Sequence, residues 1–219
     1  VGIRIRRGAT IQLKGESEKI LSDASPSKTF ALKPDNFFGI VPRLMVKEGE
    51  KIAEGAPVFH SKKDPRILFV SPVSGTVKEV VRGAKRKILK IVIEEQAGDV
   101  VTHKIPASKS LNRENITEIL LNSGAWPYIK QRPYGITADP DAIPKAIYVS
   151  TYASAPLDVD FQFLLKNDKE DFQKGIDVLN AMVESPVTLS VDATFSGFFE
   201  NIKGVELLRI NGPHPAGNV

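Results

Sequence analysis

The sequence predicts a mixed α+β fold in which a small β-rich module precedes an α/β layer. Short apolar segments bounded by Gly, Pro or Asp fill residues 38–94, which is typical of an all-β module. After residue 107 the pattern changes to strands separated by helical segments, which predicts an α/β layer. The 219 residues suffice for two small domains. We therefore expect a β-rich domain at 1–108 and a Rossmann-like α/β domain at 109–219.

The segment Val46–Val77 gives the first module its character. Glycines at Gly49, Gly55 and Gly75 separate short strands, and a Ser-Pro-x-Ser-Gly-Thr-Val turn ends the segment. This is the pattern of a barrel-sandwich hybrid, the small flattened barrel that carries lipoyl or biotinyl arms. In such carriers a lysine occupies a hairpin tip, whereas the corresponding position here falls near Asp64. We therefore predict a binding or scaffolding module without a covalently bound cofactor.

An alternating pattern and two helical segments complete the element prediction. Apolar and basic residues alternate in Val1–Leu13, which reads as a strand with one exposed face. Asn112 can cap the first helix and Gly124 can end it as the residue after the C-cap. Apolar residues at helical spacing predict a second helix at Asp168–Ser185, with Asp168 as its N-cap. The strands of the α/β layer are expected at Ala146–Thr151, Val187–Val191 and Val205–Ile210.

Composition excludes several classes of site. The chain has no cysteine, so disulfides, thiolate metal sites and iron–sulfur ligation are excluded, and its three histidines are far apart in sequence. The net charge of +4 is too small to indicate nucleic acid.

No apolar run approaches the ~20 residues that span a bilayer, and arginines interrupt the only early apolar stretch. We expect a cytoplasmic protein. The lack of an initiating Met and the ending at Asn218-Val219 suggest an excised fragment with an incomplete α/β domain.

The loop after the first strand of the α/β layer bears on nucleotide binding. A dinucleotide-binding unit would carry Gly-x-Gly-x-x-Gly there, so that the backbone can approach a pyrophosphate. The segment Tyr152–Leu157 contains no glycine, and no Walker-type loop occurs elsewhere. We therefore do not expect binding of NADH, FAD or ATP in the ordinary manner.

The sequence's most suggestive ligand site is a cluster of aromatic and cationic residues beside prolines: Trp126, Tyr128, Lys130, Arg132 and Tyr134. Aromatic rings with a nearby cation suit a planar, electron-rich ligand such as a quinone or a flavin. Such clusters also suit single-stranded nucleic acid, although the weak net charge argues against it. The alternative is an aromatic plug between the two domains.

Two turns are further candidates. The basic turn Arg82–Lys87 could meet anionic lipid head groups or an acidic partner, or it could simply keep a hairpin tip soluble and blunt a sheet edge. In Gly212–Gly217 two prolines predict a rigid strand-to-helix turn, in which His214 could donate a hydrogen bond to a ligand. No catalytic triad or supported carboxylate pair is present.

Motifs along nearly the whole chain carry a family resemblance. They are, in order, Ile3-Arg-Ile-Arg-Arg-Gly8, Val41-Pro-Arg43, Val46-Lys-Glu-Gly49, Lys62-Lys63, Ser74-Gly-Thr-Val77, Arg82-Gly-Ala-Lys-Arg86, Ser123-Gly-Ala-Trp126, Arg132-Pro133, Ala146-Ile-Tyr-Val149, Pro156-Leu157 and Gly212-Pro-His-Pro-Ala-Gly217. Together they resemble the A subunit of the Na+-translocating NADH:quinone oxidoreductase. The architecture is similar to that of the Rnf complex C subunit and the flavin-bearing NADH subunit of complex I.

The chain departs from those flavin-bearing relatives at the loop that holds flavin. Ser123-Gly-Ala-Trp-Pro127 stands where they carry a glycine-rich loop, so Trp126 would fill the flavin's space. Ala153 also stands where members of its own family often have an Asp. The resemblance therefore implies a chain without FMN or an iron–sulfur cluster of its own.

The resemblance implies a peripheral subunit on the cytoplasmic face of the bacterial inner membrane, in contact with the membrane surface only indirectly. Its complex oxidises NADH, reduces ubiquinone and transports Na+, and the other subunits are the expected partners. The chain alone would not be catalytically active. For quinone, Trp126, Tyr128 and Tyr134 would stack on the head group. Arg132 would donate a hydrogen bond to a carbonyl oxygen.

Three other functions stay open at this stage. An Rnf-type electron carrier conflicts with the missing cysteines and the lost glycine loop. A biotinyl or lipoyl carrier conflicts with the missing lysine at the hairpin tip. A purely structural docking subunit without a ligand is not separated by the sequence from a quinone-binding one.

Overall fold

The computed structural model describes residues 2–15, 18–106, 111–194 and 196–217. The chain forms two compact units, and neither is one continuous stretch of sequence. The barrel unit comprises Asp23–Ser110 and Glu114–Ala142. The α/β unit comprises Val1–Ser22, Leu111–Arg113 and Ile143–Val219. The predicted boundary between residues 108 and 109 lies outside the described residues.

The elements follow one another along the chain as β1 (Gly2–Arg4), β2 (Thr29–Leu32), β3 (Pro42–Leu44), β4 (Lys51–Ile52), β5 (Pro57–Ser61), β6 (Leu68–Val70), β7 (Gly75–Arg82), β8 (Ile88–Glu95), α1 (Arg113–Asn122), β9 (Lys130–Gln131), β10 (Ile136–Thr137), β11 (Tyr148–Ser150), α2 (Phe161–Leu164), α3 (Lys169–Asn180), β12 (Val187–Asp192) and β13 (Val205–Asn211). None of these helices is long and apolar enough to cross a membrane, among the residues that the structure describes.

Two antiparallel sheets form the core of the barrel unit. One has the strand order β2-β8-β7-β4 and the other has the order β3-β5-β6. Burial alternates along β8, where Ile91 and Ile93 are fully buried, because successive side chains of a strand point to opposite faces. Val58, Phe59 and Val77 are equally inaccessible. The predicted β-rich module of the barrel-sandwich hybrid type is confirmed.

The α/β unit contains a four-stranded sheet in the order β1-β13-β12-β11, and all its described pairings are parallel. Val187, Leu189 and Val191 of β12 alternate along the strand, so they share one face of the sheet, and all three are fully buried. Phe199 packs into the same core, with Phe172 of α3 partly buried against it. The predicted α/β layer is confirmed.

The first strand belongs to the α/β sheet and not to the barrel unit, although the sequence predicts a first domain at 1–108. Residues Gly2–Arg4 pair in parallel with Arg209–Asn211 of β13. The predicted strand Val1–Leu13 is therefore reduced to three residues within the described chain. Conversely, Glu114–Ala142 groups with the barrel unit. Alternation identifies a strand but carries no information about its partner, which is set by packing elsewhere in the chain.

Helix α1 ends in the way that the sequence predicts. It begins at Arg113, directly after Asn112, and Gly124 has a φ of +72°. Ala125 N donates to Leu120 O at 3.0 Å, and Gly124 N donates to Leu121 O at 3.3 Å. This pair of bonds is the Schellman motif, which satisfies the carbonyl groups at a helix C-terminus.

Helix α3 is shorter than the predicted Asp168–Ser185. It ends at Asn180, whose side chain donates to Gly204 O and accepts from Val187 N, both at 2.9 Å. Pro186 disfavours helical backbone at the residue before it, so the pattern cannot continue to Ser185 as a helix. Asp168 occupies the N-cap position, but its side chain makes no capping hydrogen bond.

We predict that Gly124→Ala destabilises the protein by about 2–5 kcal/mol. A left-handed conformation costs an Ala roughly 1–2 kcal/mol, and overpacking costs roughly 1–3 kcal/mol more. The added Cβ would lie 2.7 Å from the Cγ atoms of Val70. Gly135→Ala is the matched control, because Gly135 has a φ of +66° with nothing within 4 Å of its added Cβ. Denaturant unfolding measures both variants, and equal losses would contradict the role assigned to Val70.

Candidate functional site

A row of four aromatic rings runs from the interior of the barrel unit to its surface. Phe59 and Phe69 stack with their centroids 4.4 Å apart, and Phe37 meets Phe69 edge-on at 4.6 Å. Tyr128 then contacts Phe37 edge-on at 5.8 Å. The Phe59 side chain is fully buried, whereas Tyr128 is 73% exposed. The row therefore ends at Tyr128, an accessible ring that packs on Phe37.

A cation completes this site. The Nζ atom of Lys130 lies 5.4 Å from the centroid of the Phe37 ring, within the range of a cation–π interaction. Partial burial lowers the pKa of Lys130 from its ordinary value, because loss of hydration disfavours the charged form. Phe37, Tyr128 and Lys130 therefore combine an aromatic edge, an exposed ring and a partly desolvated ammonium donor.

Trp126 is part of the core and not of a ligand surface. It is 2% exposed, and its Nε1 donates a hydrogen bond to Ala138 O at 2.8 Å. A buried indole whose N–H is satisfied is a packing element. The predicted stacking of a quinone head group on Trp126 therefore needs correction, because no face of that ring is open to a ligand. Trp126 acts as an aromatic plug inside the barrel unit.

The remaining two predicted residues lie in the turn between β9 and β10. Arg132 is exposed and Tyr134 is 73% exposed. Among the described residues neither takes part in an ion pair or a ring contact. The structure therefore brings Tyr128 together with Phe37 and Lys130, and it leaves Arg132 and Tyr134 on a separate exposed turn. Phe37 was missed because it is remote in sequence and no local pattern marks it.

A cluster of charged residues holds the hairpin tip between β5 and β6, where a lipoyl or biotinyl lysine would be expected. The Arg66 guanidinium donates through Nη2 to Asp64 Oδ2 and to Asp141 Oδ2, each at 2.7 Å. The hydrogen bond from Arg66 to Asp64 lowers the pKa of the Asp64 carboxyl group, because it stabilises the charged form. Because charge-assisted bonds of this kind fix geometry, the tip is held against the loop that carries Asp141.

The carboxyl edge of the α/β sheet is the usual position of a nucleotide in such folds. Here Ser154 donates to Ala216 O through its N–H at 3.0 Å and through Oγ at 2.6 Å. Gly217 has a φ of +78°, and a Cβ on it would lie 2.4 Å from Tyr152 O. Burial, and then the Asp192 carboxylate, raise the pKa of Tyr152. The chain's own turn therefore covers the loop that follows β11.

We predict that Trp126→Ala destabilises the protein by about 3–5 kcal/mol, because it removes a buried indole and leaves a cavity. Tyr128→Ala is the matched control, since its exposed ring should cost at most about 1 kcal/mol through the lost edge contact. The free energies of unfolding of the two variants measure the difference. Similar losses would contradict the division into a core ring and a surface ring.

Comparison with known proteins gives concordant matches to both units. The family model described as the NqrA N-terminal barrel-sandwich hybrid domain matches residues 3–96. The model described as the NqrA second alpha/beta domain matches residues 111–219. The two matches follow each other in sequence and together cover nearly the whole chain.

Individual relatives agree with these matches. The chain is 31% identical over 218 residues to the A subunit of the Na(+)-translocating NADH-quinone reductase of Neisseria gonorrhoeae (strain NCCP11945), a match that covers 98% of this chain and 49% of the relative. It is 30% identical, with the same coverage, to the corresponding protein of Pasteurella multocida (strain Pm70). The chain spans about half the length of the curated relatives it matches. It belongs to the NqrA family, the A subunits of the Na+-translocating NADH-quinone reductases.

Proposed function

We propose that the protein containing this chain works as the A subunit of a Na+-translocating NADH:quinone oxidoreductase. The observation that carries this proposal is the ordered match of both units to family domains, together with relatives that cover 98% of the chain. NADH oxidation, quinone reduction and Na+ transport would be activities of the assembled complex and not of this chain alone. Its partners would be the other subunits, on the cytoplasmic side of the bacterial inner membrane.

Within that complex we propose that this chain holds no flavin or iron–sulfur cluster. A cluster of the usual kind needs cysteine thiolates, and the sequence has none. A flavin phosphate needs a close approach of backbone N–H groups. At the loop after β11, Ser154 and Gly217 instead bring two segments of the chain together. Both observations support a chain that carries neither of these groups.

We further propose that a quinone head group contacts the chain at Tyr128 and Lys130. The exposed Tyr128 ring offers a stacking surface, and Lys130 can donate a hydrogen bond to a quinone carbonyl oxygen. An ammonium donor also stabilises the negative charge that develops on that oxygen during reduction. Lys130 thereby takes the donor role that the sequence suggested for Arg132. Arg132 and Tyr134, on the adjoining turn, remain candidates for the rim of such a site.

A second function is favoured by the burial of Trp126. Because Trp126 is buried, one of the rings expected to stack on a quinone serves packing instead, which leaves less of the aromatic cluster for a ligand. In this alternative, Tyr128 and Lys130 contact a partner subunit instead of a quinone. Quinone binding by the isolated full-length subunit separates the two functions.

The complex-level proposal predicts functional complementation. In cells that lack their own A subunit, the full-length gene containing this sequence should restore Na+-dependent NADH:quinone reductase activity in the membranes. The same gene without residues 111–219 is the control and should restore none. A full-length protein that accumulates normally but restores no activity would contradict the proposal.

The site-level proposal predicts that Lys130→Gln weakens binding of a quinone analogue to the full-length subunit by about 10- to 100-fold, the value of one charge-assisted hydrogen bond. Tyr128→Ala should weaken it by about 2- to 10-fold through lost stacking. Tyr148→Ala is the control, because this tyrosine is 66% exposed in the α/β unit. Unchanged affinity in both site variants would contradict the placement of the site at Tyr128 and Lys130, whereas a full-length subunit that binds no quinone analogue would favour docking without a ligand.

A further inference from the structure

The turn between β7 and β8 has a backbone that its residues disfavour. Lys87 N donates to Ala84 O at 3.1 Å, which closes a four-residue reverse turn. Its two central residues, Lys85 and Arg86, have φ values of +53° and +60°. Positive φ at both central positions is the geometry of a type I′ turn, in which Asn-Gly is strongly preferred.

Few interactions within the described chain offset this backbone strain at Lys85 and Arg86. A left-handed backbone crowds the Cβ of any L-residue against a carbonyl oxygen. Besides the backbone bonds of the hairpin, the turn has a long hydrogen bond from Arg82 Nη1 to Arg86 O at 3.4 Å. Within the described residues, neither Lys85 nor Arg86 is part of an ion pair. Strain of this kind persists where the surroundings or a function require the residue.

Three cations at this tip make no ion pair with any residue that the structure describes. Arg82, Lys85 and Arg86 are exposed. Lys87 differs from them, because its Nζ pairs with Asp35 Oδ2 at 2.7 Å. The ladder bonds of the hairpin, including Gly83 N to Lys87 O at 2.8 Å, hold the backbone of the tip in place. The backbone positions from which the three positive side chains project are therefore fixed.

We infer that this tip of the β7–β8 hairpin, formed by Arg82, Lys85 and Arg86, is a docking site for carboxylates on the acidic surface of a partner protein. The inference rests on the proposed function in that the partner is another subunit of the complex. Guanidinium groups recognise carboxylates through paired hydrogen bonds of defined geometry.

The backbone strain favours a protein over a membrane as the occupant. An anionic lipid surface responds to the number of nearby cations and not to their individual positions. An Asn-Gly turn flanked by lysines would serve such a surface equally well without strain. Cations at the two left-handed positions are therefore explained better by a partner whose carboxylates are fixed in space.

The decisive variant is the double substitution Lys85→Asn with Arg86→Gly in the full-length subunit. It introduces the preferred turn sequence and removes two charges, so it should raise the midpoint of thermal unfolding. At the same time it should weaken association with the remaining subunits by about tenfold or more, most strongly at low salt. Lys85→Gln with Arg86→Gln should weaken association similarly without raising the unfolding midpoint.

The matched control is Lys62→Gln with Lys63→Gln, which removes two exposed cations from another hairpin tip of the same unit. Association that is unchanged in the Lys85 and Arg86 variants, or reduced equally in the control, would overturn the inference. Loss of binding to phosphatidylglycerol vesicles with subunit association retained would also overturn it, in favour of a membrane. A wild-type subunit that does not associate at all would overturn the proposed function together with the inference.

Discussion

The burial of Trp126 is the constraint on which the aromatic surface of the barrel unit depends. Its indole donates to Ala138 O at 2.8 Å and thereby ties the turn before β9 to the chain that follows β10. Tyr128 belongs to the same 3-10 turn as Trp126, so its position is fixed together with that of the tryptophan. The contact between Tyr128 and Phe37 therefore depends on the buried position of Trp126.

The fold class could be predicted because its signals are local. Alternating burial along β8 and the Schellman ending of α1 at Gly124 are both written in short stretches of sequence. The pairing of β1 with β13 could not be predicted, since it joins the two ends of the described chain and depends on which sheet edge is free. Pro186 is a local signal against a helix that reaches Ser185, whereas the end of α3 at Asn180 depends on side-chain hydrogen bonds to Val187 and Gly204 that helical spacing does not record.

Only the approximate location of the candidate site along the chain could be predicted from the sequence. Composition drew attention to the aromatic and cationic residues between Trp126 and Tyr134, but it could not assign an inside and an outside. A 3-10 helix has about three residues per turn, so residues two positions apart face different directions. Trp126 accordingly points into the core while Tyr128 points to solvent. Phe37, which supports Tyr128, comes from a distant segment of the chain and left no signal in the sequence.

The α/β unit uses a close backbone approach for a different purpose from a dinucleotide-binding unit. In a dinucleotide loop, glycine lets the backbone approach a pyrophosphate. Here Gly217 lets the backbone approach Tyr152 O, to a distance at which a Cβ would be 2.4 Å away. Ser154 adds two hydrogen bonds to Ala216 O across the same contact. Contacts within the chain occupy these backbone groups. The recognition sites that we propose therefore lie on exposed surfaces, at Tyr128 with Lys130 and at the strained turn of Lys85 and Arg86.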